Sequence, residues 1–555
     1  MNQKRQGLEL IRSLAFFVSL LRLKSLYIIL LVVMAMPRVQ SDETDLTQQS
    51  TQRRNRKDWP QWGGSPQRNN APESGPLPAT FNVKSRANIR WQMPLGSESY
   101  GSPVVANGKV YIGTNNYGGY LDRFPKTHDL GVLLCLNEND GKFLWQYSAE
   151  KLPTGRIHDM PNQGICSSPM VEEDRLWMVT NRCEVVCLDT LGFADGDNDG
   201  PFVSEANEKE DEADIVWNFD MISELNVSPH NMSTCSVTGV GDWLFVSTSQ
   251  GVDESHQSVP DPVAPSLICI NRHTGALLWT DNTPGKNIMH GQWSSPTYAV
   301  LGGQEQVLFG AGDGWLYSFD PKGDGMNSKL LWSFDCNPKD SVFKVIGGTR
   351  LPILGIPVVY DGLVYVAIGE DPEVVQSPGR LLCIDPTKRG DVSPTLVYNS
   401  SDPSKTVPRR RKQAMVDANG EFEKDNPNSA AVWQYVGSDP SVFETTMHST
   451  CGTVAIKNDL LYIADQRGIL HCLNAKTGVA NWTHDLQAAS WASPLIADNK
   501  VYLADEDGDV LILELSAVLN ILAEINLGSA CYTTPIVAND TIFICIRNKL
   551  FAIRL

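Results

Sequence analysis

The chain has 555 residues, with 46 Lys and Arg against 64 Asp and Glu, a formal net charge of −18, and a hydrophobic content of 42%. That apolar content is ordinary for a globular protein. The acidic balance argues against nucleic-acid binding, which needs clustered basic side chains. One basic run, Arg409–Lys412, is an exception. Because it lies in a polar insertion, we interpret it as a solvated loop.

The first 41 residues resemble an export signal. Five basic side chains precede a short apolar run from Leu26 to Met36, and Val39-Gln40-Ser41 has the form of a cleavage site. An uncleaved membrane anchor is the alternative, although the run is short for a membrane span. No Cys follows the run, which argues against a lipoprotein anchor. We therefore predict export to the periplasm or the exterior of a bacterial cell, a flexible tether over 42–57, and an extension over 58–87 that packs on the following domain.

A repeated pattern begins near residue 88. Its clearest copies read LLCLNENDGKFLW, LICINRHTGALLW and LHCLNAKTGVANW, and they end at Trp145, Trp279 and Trp482. Looser copies end at Trp217, Trp332 and Trp433. A period of roughly 50 residues is typical of an array whose units bury their apolar faces against one another.

Each unit contains four predicted strands, which we call A to D. A small residue and Pro usually open strand A, as in GSPVV at Pro103 and ASPLI at Pro494. Alternating β-branched and aromatic residues predict strands B and C, and strand D carries the Trp. Because Pro cannot donate to a sheet ladder, strand A is predicted to be an edge strand.

The number of units predicts a closed ring. The last unit ends after its strand C (Lys549–Ile553), while a spare strand D with Trp91 precedes the first strand A. We expect this spare strand to complete the last unit. The predicted fold is therefore all-β: an eight-bladed β-propeller over 88–555 with four-stranded blades, closed by an N-terminal outer strand. We expect a monomer.

Twelve cysteines in an exported chain suggest disulfides. However, Cys135, Cys187, Cys269, Cys383 and Cys472 occupy the same place on strand C of different units. Equivalent places on different blades are too far apart to be bridged. We predict that the cysteines are mainly small core residues, and a Cys183–Cys187 pair stays open as an alternative.

One face of the predicted ring concentrates polar groups. Strand direction alternates, so the D–A and B–C connections share a face. His158, His230, His290, Arg350 and His448 lie in D–A connections, and the long B–C connections contain Asp253, Glu254 and Glu370. They are candidates for a binding site. Alternatively, a repeated His simply bonds the backbone of the next blade.

Four aromatic residues fall three positions before the Pro of strand A or its equivalent: Tyr100, Trp293, Trp491 and Tyr532. They are expected at one height in the ring. They could form a flat floor under a planar ligand, and Trp293 and Trp491 are the candidates for cofactor contact. Packing between blades is the interpretation that we favour.

An acidic loop lies on the opposite predicted face. Asp195, Asp197 and Asp199 followed by Gly200 match the opening of an EF-hand calcium loop. The twelfth position is Ala206, and Glu205 comes one residue early. A calcium site formed by Asp195, Asp197, Asp199 and Glu205 is one interpretation, and a plain acidic turn is the other. Asp505–Asp509 is interpreted as a hairpin turn.

The repeats CLNENDGKFLW, CINRHTGALLW and CLNAKTGVANW resemble the pyrroloquinoline quinone (PQQ) repeat of quinoprotein alcohol dehydrogenase-like propellers. DWPQWGGSPQRNN from Asp58 resembles the opening of exported bacterial PQQ-repeat proteins. In the family's enzymes, PQQ lies on the axis with calcium, between a Trp and a vicinal disulfide. This chain has no adjacent Cys pair, and we assign the enzymes' calcium ligands and base to no position in it. Another branch binds polypeptides without a cofactor.

Two functions are consistent with this resemblance. The first is an exported module that binds protein or another macromolecule on the His- and acid-rich face. The second is a PQQ-dependent dehydrogenase that oxidises an alcohol or sugar, in which the cofactor would perform the chemistry. Whether the chain is an enzyme stays open at this point, because the fold does not determine the function.

Overall fold

The computed structural model describes residues 57–371 and 377–555, and Lys57–Leu555 forms one compact unit. The predicted export signal and nearly all of the predicted tether lie outside the described residues. No helix in this part of the chain is long and apolar enough to cross a membrane.

Strands dominate the described chain, and the one α-helix is α1 (Met221–Leu225). The strands, in chain order, are β1 (Ile89–Pro94), β2 (Val104–Ala106), β3 (Lys109–Asn115), β4 (Leu130–Asn137), β5 (Phe143–Glu150), β6 (Met170–Glu172), β7 (Arg175–Val179), β8 (Glu184–Asp189), β9 (Ile215–Asp220), β10 (Thr238–Val240), β11 (Trp243–Ser247), β12 (Leu267–Asn271), β13 (Leu277–Asp281), β14 (Thr297–Leu301), β15 (Gln304–Gly310), β16 (Trp315–Phe319), β17 (Leu330–Asp335), β18 (Val358–Tyr360), β19 (Leu363–Ile368), β20 (Arg380–Ile384), β21 (Gly390–Asp391), β22 (Thr395–Asn399), β23 (Asp402–Thr406), β24 (Glu421–Asp425), β25 (Ala431–Tyr435), β26 (Ala455–Lys457), β27 (Leu460–Ala464), β28 (Ile469–Asn474), β29 (Ala480–Asp485), β30 (Leu495–Ala497), β31 (Lys500–Ala504), β32 (Asp509–Glu514), β33 (Ile521–Asn526), β34 (Ile536–Ala538), β35 (Thr541–Ile546) and β36 (Lys549–Ile553).

These strands form consecutive antiparallel sheets in the order A-B-C-D. Sheets 1, 2 and 3 are β2–β5, β6–β9 and β10–β13; sheet 4 is β14–β17 with β21 added in parallel. Sheet 5 is β18–β20 with β25, and sheets 6 and 7 are β26–β29 and β30–β33. Strands β22–β24 form a separate three-stranded sheet inside an insertion in sheet 5. The prediction that strand A is an edge strand is confirmed in each of the seven sheets.

The last sheet is completed from the beginning of the domain. Sheet 8 has the order β1-β36-β35-β34. In it, β1 runs antiparallel to β36 and pairs Trp91 with Ala552 and Pro94 with Lys549. This confirms the predicted pairing of the Trp91 strand with the final strand.

Apolar side chains fill the spaces between consecutive sheets. Val104 and Val186 belong to one buried cluster that joins sheets 1 and 2, and similar clusters join each following pair. A further cluster joins sheet 8 to sheet 1, through Trp91 and Phe543 on one side and Val110 on the other. Each sheet is therefore buried on both faces, which explains why strands B and C are nearly continuous apolar runs. The all-β fold of four-stranded sheets agrees with the predicted propeller class.

The repeated Asn–Gly–Trp pattern has a direct physical role between sheets. In sheet 3, the Asn271 side chain accepts hydrogen bonds from the backbone of the C–D turn, and Gly275 follows with a φ of +72°. A Cβ at Gly275 would lie 2.9 Å from the ring of Trp217 on strand D of sheet 2. Trp217 Nε1 donates to the carbonyl of Arg272 in the same turn at 3.1 Å. The turn of one sheet is therefore shaped to receive the Trp of the preceding sheet.

The same contact occurs where the chain closes. Trp91 of sheet 8 donates through Nε1 to Glu138 O of sheet 1 at 2.9 Å. Gly141, at a φ of +72°, lies beneath its ring, and a Cβ there would be 2.7 Å from the indole. The junction of the two ends of the domain therefore has the same construction as the internal ones.

All twelve cysteines lie in the described residues and are free, and all but Cys451 are buried. Cys135, Cys187, Cys269, Cys383 and Cys472 each pair across the sheet with the Trp of strand D. A small side chain thus lies opposite a large one. This confirms the core interpretation, and the alternative Cys183–Cys187 disulfide is absent.

The extension before β1 crosses the inner strands in turn. Trp59 pairs with Val105 of sheet 1, and Pro60 O, Pro66 O and Gln67 O accept from the inner strands of sheets 2, 4 and 5. The Asn70 carbonyl and side chain reach sheets 7 and 8. Arg68 is fully buried, and its guanidinium donates to Pro296 O and to Ser236 O of sheet 3. The segment over 59–70 therefore covers one end of the space between the inner strands.

Candidate functional site

A cavity of about 270 Å³ lies inside the inner strands. Its walls come from the D–A connections of all eight sheets, and Trp62 of the extension lies at the covered end. Because the 59–70 segment closes that end, the cavity opens on the other face, where the D–A and B–C connections lie. We call this the cavity face.

A belt of hydroxyl groups surrounds the cavity just before each strand A. Its members are Ser102, Ser168, Ser236, Ser295, Thr453, Ser493 and Thr534, and Ile356 occupies the sheet 5 position. Ser493 N donates to Thr534 Oγ1 at 3.0 Å, and Thr534 N donates to Ser102 Oγ at 3.1 Å, across the junction of sheets 8 and 1. The belt links neighbouring sheets and gives the cavity wall a ring of neutral polar groups at this level.

The four predicted aromatic residues all line the cavity. Tyr100 stacks on Tyr532 with ring centroids 5.0 Å apart, and Trp491 lies 4.8 Å from Tyr532. Trp293 instead contacts His290, with centroids 5.0 Å apart. Three of the four thus pack on one another across sheets, and the fourth belongs to a histidine cluster. They do not form one flat floor.

Three histidines meet on the cavity face: His230, His256 and His290. His230 and His290 come from D–A connections, and His256 comes from the B–C connection of sheet 3. The Nε2 atoms of His230 and His256 are 3.0 Å apart. His290 Nε2 lies 3.1 Å from Asp371 Oδ2. Each histidine offers one ring nitrogen within 4.8 Å of those of the others.

The backbone holds these rings in place. His230 Nδ1 donates to Val252 O at 2.8 Å, which leaves the Nε2 lone pair directed at the cluster. Gly251 permits this packing, since a Cβ there would lie 2.5 Å from His230 Cβ. Burial and, to a smaller extent, the neighbouring His290 lower the pKa of His230 to about 3. Burial also lowers the pKa of His256. His230 is therefore neutral at physiological pH.

The basic run in the sheet 5 insertion reaches this cluster. Arg411 donates to His256 O at 2.9 Å and also to Gln257 O. Arg409 lies over the Trp315 ring, 3.6 Å from its centroid, and donates to Tyr317 Oη at 2.9 Å. The solvated-loop interpretation was therefore wrong. The sequence alone could not show that the insertion returns to the body of the protein.

The other basic candidates lie apart from the cluster. His158 Nε2 contacts Ser228 Oγ at 3.1 Å. Arg350 is buried against Asp335, with a 3.1 Å ion pair. His448 Nδ1 contacts the buried Asp465 at 2.8 Å. Neither His158 nor His448 contacts a backbone carbonyl through its side chain, so one repeated structural role does not describe the D–A histidines.

The acidic candidates shape loops. The Asp253 carboxylate accepts from Ser255 and from Gln257 N, which folds the loop that carries His256. Glu254 lies in a shallow groove beside His158. Glu370 accepts from Ser377 N at 2.8 Å. Asp371, beside Glu370, contacts the cluster.

The acidic loop at residue 195 is engaged within the protein. Asp195 accepts from Asp197 N, Asp199 pairs with Arg175 at 3.0 Å, and Glu205 accepts from Ile215 N. Among the described residues, the cluster of three histidines is the group of His, Cys, Asp and Glu that meets the spacing for a metal ion. The calcium site stays a prediction.

Sequence reasoning placed His256 and Asp371 on the cavity face without selecting them as site residues, and it missed Trp62. His256 and Asp371 lie in the B–C connections that the sequence places on the cavity face, but nothing in their spacing shows that they converge. Trp62 belongs to the extension, whose path across the inner strands has no local sequence signal.

The cavity does not suit PQQ, a planar tricarboxylate. Among the described residues that line it, none is Lys or Arg, and Asp371 is the one that carries a formal charge. Burying several carboxylates without a cationic partner is strongly unfavourable. The residues present therefore do not fit this cofactor.

Comparison with known proteins agrees with the repeat. Residues 423–518, which span sheet 6 and three strands of sheet 7, match the family described as outer membrane protein assembly factor BamB. No curated protein matches the sequence. BamB from Moraxella catarrhalis is 15% identical, covering 84% of this chain and 96% of its own, with a TM-score of 0.45.

A second solved structure, quinohemoprotein alcohol dehydrogenase from Comamonas testosteroni, is 13% identical, covering 94% of this chain and 83% of its own, with a TM-score of 0.45. Likeness at this level carries no argument about function. The family match confirms the resemblance of the chain to PQQ-like β-propeller proteins.

Proposed function

We propose that this chain is an exported eight-bladed β-propeller that binds a protein or another macromolecule on its cavity face, without PQQ. The observation that carries the proposal is a blind cavity whose described lining contains one formally charged residue, Asp371, on a face that also presents exposed apolar side chains. Export is inferred from the sequence of the first 41 residues. A monomer suffices, because the eight D–A connections of one chain enclose the cavity.

The eight-blade assignment is supported by contacts in cyclic order. Apolar clusters join each sheet to the next and join sheet 8 to sheet 1. The D–A connections of all eight sheets surround one cavity. A closed ring of eight blades satisfies both observations, with the inner strands around the axis.

The cavity face carries large apolar side chains that are exposed to solvent. They are Tyr117, Ile157, Val263, Val345, Ile346, Val442 and Phe443, all in D–A or B–C connections. A small ligand enclosed in the cavity would not reach these side chains. A macromolecule that covers this face would, and exposed apolar area is a common feature of interaction sites.

The chemistry of the cavity favours a polypeptide partner. Its lining combines the aromatic rings of Tyr100, Trp293 and Trp491 with the hydroxyl belt, and it suits one apolar side chain with its backbone. The chain is strongly acidic, so basic residues near that side chain would be favoured. The family description of an outer membrane protein assembly factor supports a protein-binding role.

Peptide selection tests this proposal. A displayed random-peptide library would be selected on the purified protein, and the selected peptides would be titrated against it. Trp293 and Trp491 line the cavity, so binding there should change the tryptophan emission. Met232→Trp should fill the cavity and abolish binding. Val479→Trp is the control, because Val479 is exposed in a C–D turn on the opposite face.

The proposal fails if no peptide is enriched, or if the selected peptides bind the Met232→Trp variant as tightly as the control. The dehydrogenase alternative is tested separately by adding PQQ and calcium. We expect no thermal shift and no dye reduction with a panel of alcohols and sugars. Cofactor-dependent turnover would instead establish the enzyme.

A further inference from the structure

We propose that His230, His256 and His290 bind one divalent transition-metal ion of the kind that prefers imidazole ligands, with Asp371 as an adjoining carboxylate ligand. The site lies at the rim of the cavity, because Asp371 also lines the cavity wall. The inference does not rest on the proposed binding function.

The distances suit a shared ion. Zinc–imidazole bonds are about 2.0–2.1 Å long, so ligand atoms around one tetrahedral ion lie roughly 3–3.5 Å apart. The Nε2 atoms of His230 and His256 are separated by 3.0 Å, and His290 Nε2 and Asp371 Oδ2 by 3.1 Å. The three imidazoles also satisfy the wider limit of 4.8 Å. Small movements of side chains would bring all four ligand atoms onto one ion.

Buried polar atoms in the cluster lack hydrogen-bond partners. His290 is 9% exposed, and neither of its ring nitrogens makes a hydrogen bond. Its Nε2 atom lies 3.1 Å from Asp371 Oδ2. Such unsatisfied buried groups are uncommon and require an explanation. A purely structural role for the cluster does not explain His290, whereas a cation would occupy its lone pair.

The surroundings prepare His230 to act as a ligand. Its Nδ1–H is donated to the backbone carbonyl of Val252 at 2.8 Å, which fixes the tautomer and points Nε2 inward. Ligating histidines typically donate their other N–H in this way.

The donor set selects the class of ion. Three imidazole nitrogens and one carboxylate oxygen suit Zn²⁺, Co²⁺, Ni²⁺ or Cu²⁺. Calcium and magnesium prefer all-oxygen sites. The histidine site and the predicted calcium loop at Asp195 are therefore chemically distinct, and one can exist without the other.

Metal titration of the full-length, untagged protein tests this inference. After removal of metals with a chelator, we expect one Zn²⁺ or Co²⁺ to bind per chain, and bound Co²⁺ to give visible d–d absorption bands. Losing an outer-shell partner costs about 10–100-fold in metal affinity, so His256→Gln, which removes a ligand, should cost at least about 100-fold. His158→Gln is the matched control, since His158 lies on the same face outside the cluster.

Folding is checked by thermal unfolding of each variant without metal. His256 is only half-buried in a surface loop, so His256→Gln should unfold within a few degrees of the wild type. His290→Gln provides a second variant that removes a different ligand. The inference is overturned if folded wild-type protein binds no ion stoichiometrically, or if both cluster variants retain the affinity of His158→Gln.

Discussion

The contact between the C–D turn glycine and the preceding tryptophan yields a quantitative prediction for Gly275→Ala. Gly275 has a φ of +72°, and an added Cβ would lie 2.9 Å from the Trp217 ring. The left-handed conformation costs a non-glycine residue about 1–2 kcal/mol. Overpacking in a buried contact adds about 1–3 kcal/mol. We therefore expect the free energy of unfolding to fall by about 2–5 kcal/mol.

Gly241→Ala separates the two contributions. Gly241 lies in the A–B turn of the same sheet with a φ of +56°, and nothing lies within 4 Å of the added Cβ. This variant should lose only the conformational part, about 1–2 kcal/mol. Urea unfolding of both variants, followed by tryptophan emission and circular dichroism, gives the comparison.

Two further variants sharpen the test. Trp217→Phe removes part of the indole, so Gly275→Ala should cost less in that background, as a double-mutant cycle would show. Gly141→Ala should cost as much as Gly275→Ala if the junction of sheets 8 and 1 has the construction of the internal ones. Equal losses for Gly275→Ala and Gly241→Ala would refute the role assigned to the tryptophan.

Three other variants test buried polar groups. Arg68→Met removes a buried guanidinium that donates only to oxygens of the protein, and it should lower the free energy of unfolding by about 3 kcal/mol. The control Arg90→Met, at the surface, should lower it by at most about 0.5 kcal/mol. Equal losses would show that Arg68 does not hold the 59–70 segment on the inner strands. Burial raises the pKa of Asp313 to about 6, so its stability contribution falls as the pH rises from about 4 to 6. In the Asp313→Asn variant, the free energy of unfolding should no longer fall for this reason between about pH 4 and 6. A fall as steep as that of the wild type would contradict the raised pKa of Asp313. Burial alone would raise the pKa of Asp465, but hydrogen bonds from His448 and His471 hold it below its usual range. The stability that the ionised Asp465 contributes is present above about pH 4 and is lost as the pH falls. Asp465→Asn should therefore lower the free energy of unfolding by about 3 kcal/mol at pH 7 and by less at pH 3. If urea unfolding gives the same difference between wild type and variant at both pH values, Asp465 is not charged in the folded protein.

The repeats allowed the sheets to be predicted because their signals are local. Strand C of the last sheet was predicted as Lys549–Ile553, and β36 has those bounds. The partner of the Trp91 strand could be predicted because the last unit lacked a strand D and the Trp91 strand was a strand D without a unit of its own. The path of the 59–70 segment could not be predicted in this way. Several of its hydrogen bonds use backbone carbonyls that any sequence possesses, and no local signal identifies the partners of the Arg68 and Asn70 side chains.

The candidate site was predictable only as a face of the molecule. His230 and His290 recur at equivalent positions, so the repeat placed them on one rim. The same rule also selected His158, Arg350 and His448, which have other partners. Which members of a rim converge depends on loop lengths and on side-chain direction, and Arg411 shows that an insertion can add a residue from a distant part of the chain.

The extension has a consequence for the order of assembly. Residues 59–70 leave the ribosome before every strand to which they bond, and their last partner along the chain is Pro535 of sheet 8. Contacts so distant in sequence form late, because the intervening chain must first be organised. The covered end of the cavity must then be sealed after synthesis of the inner strands, so a nascent or partly folded chain would be open at both ends.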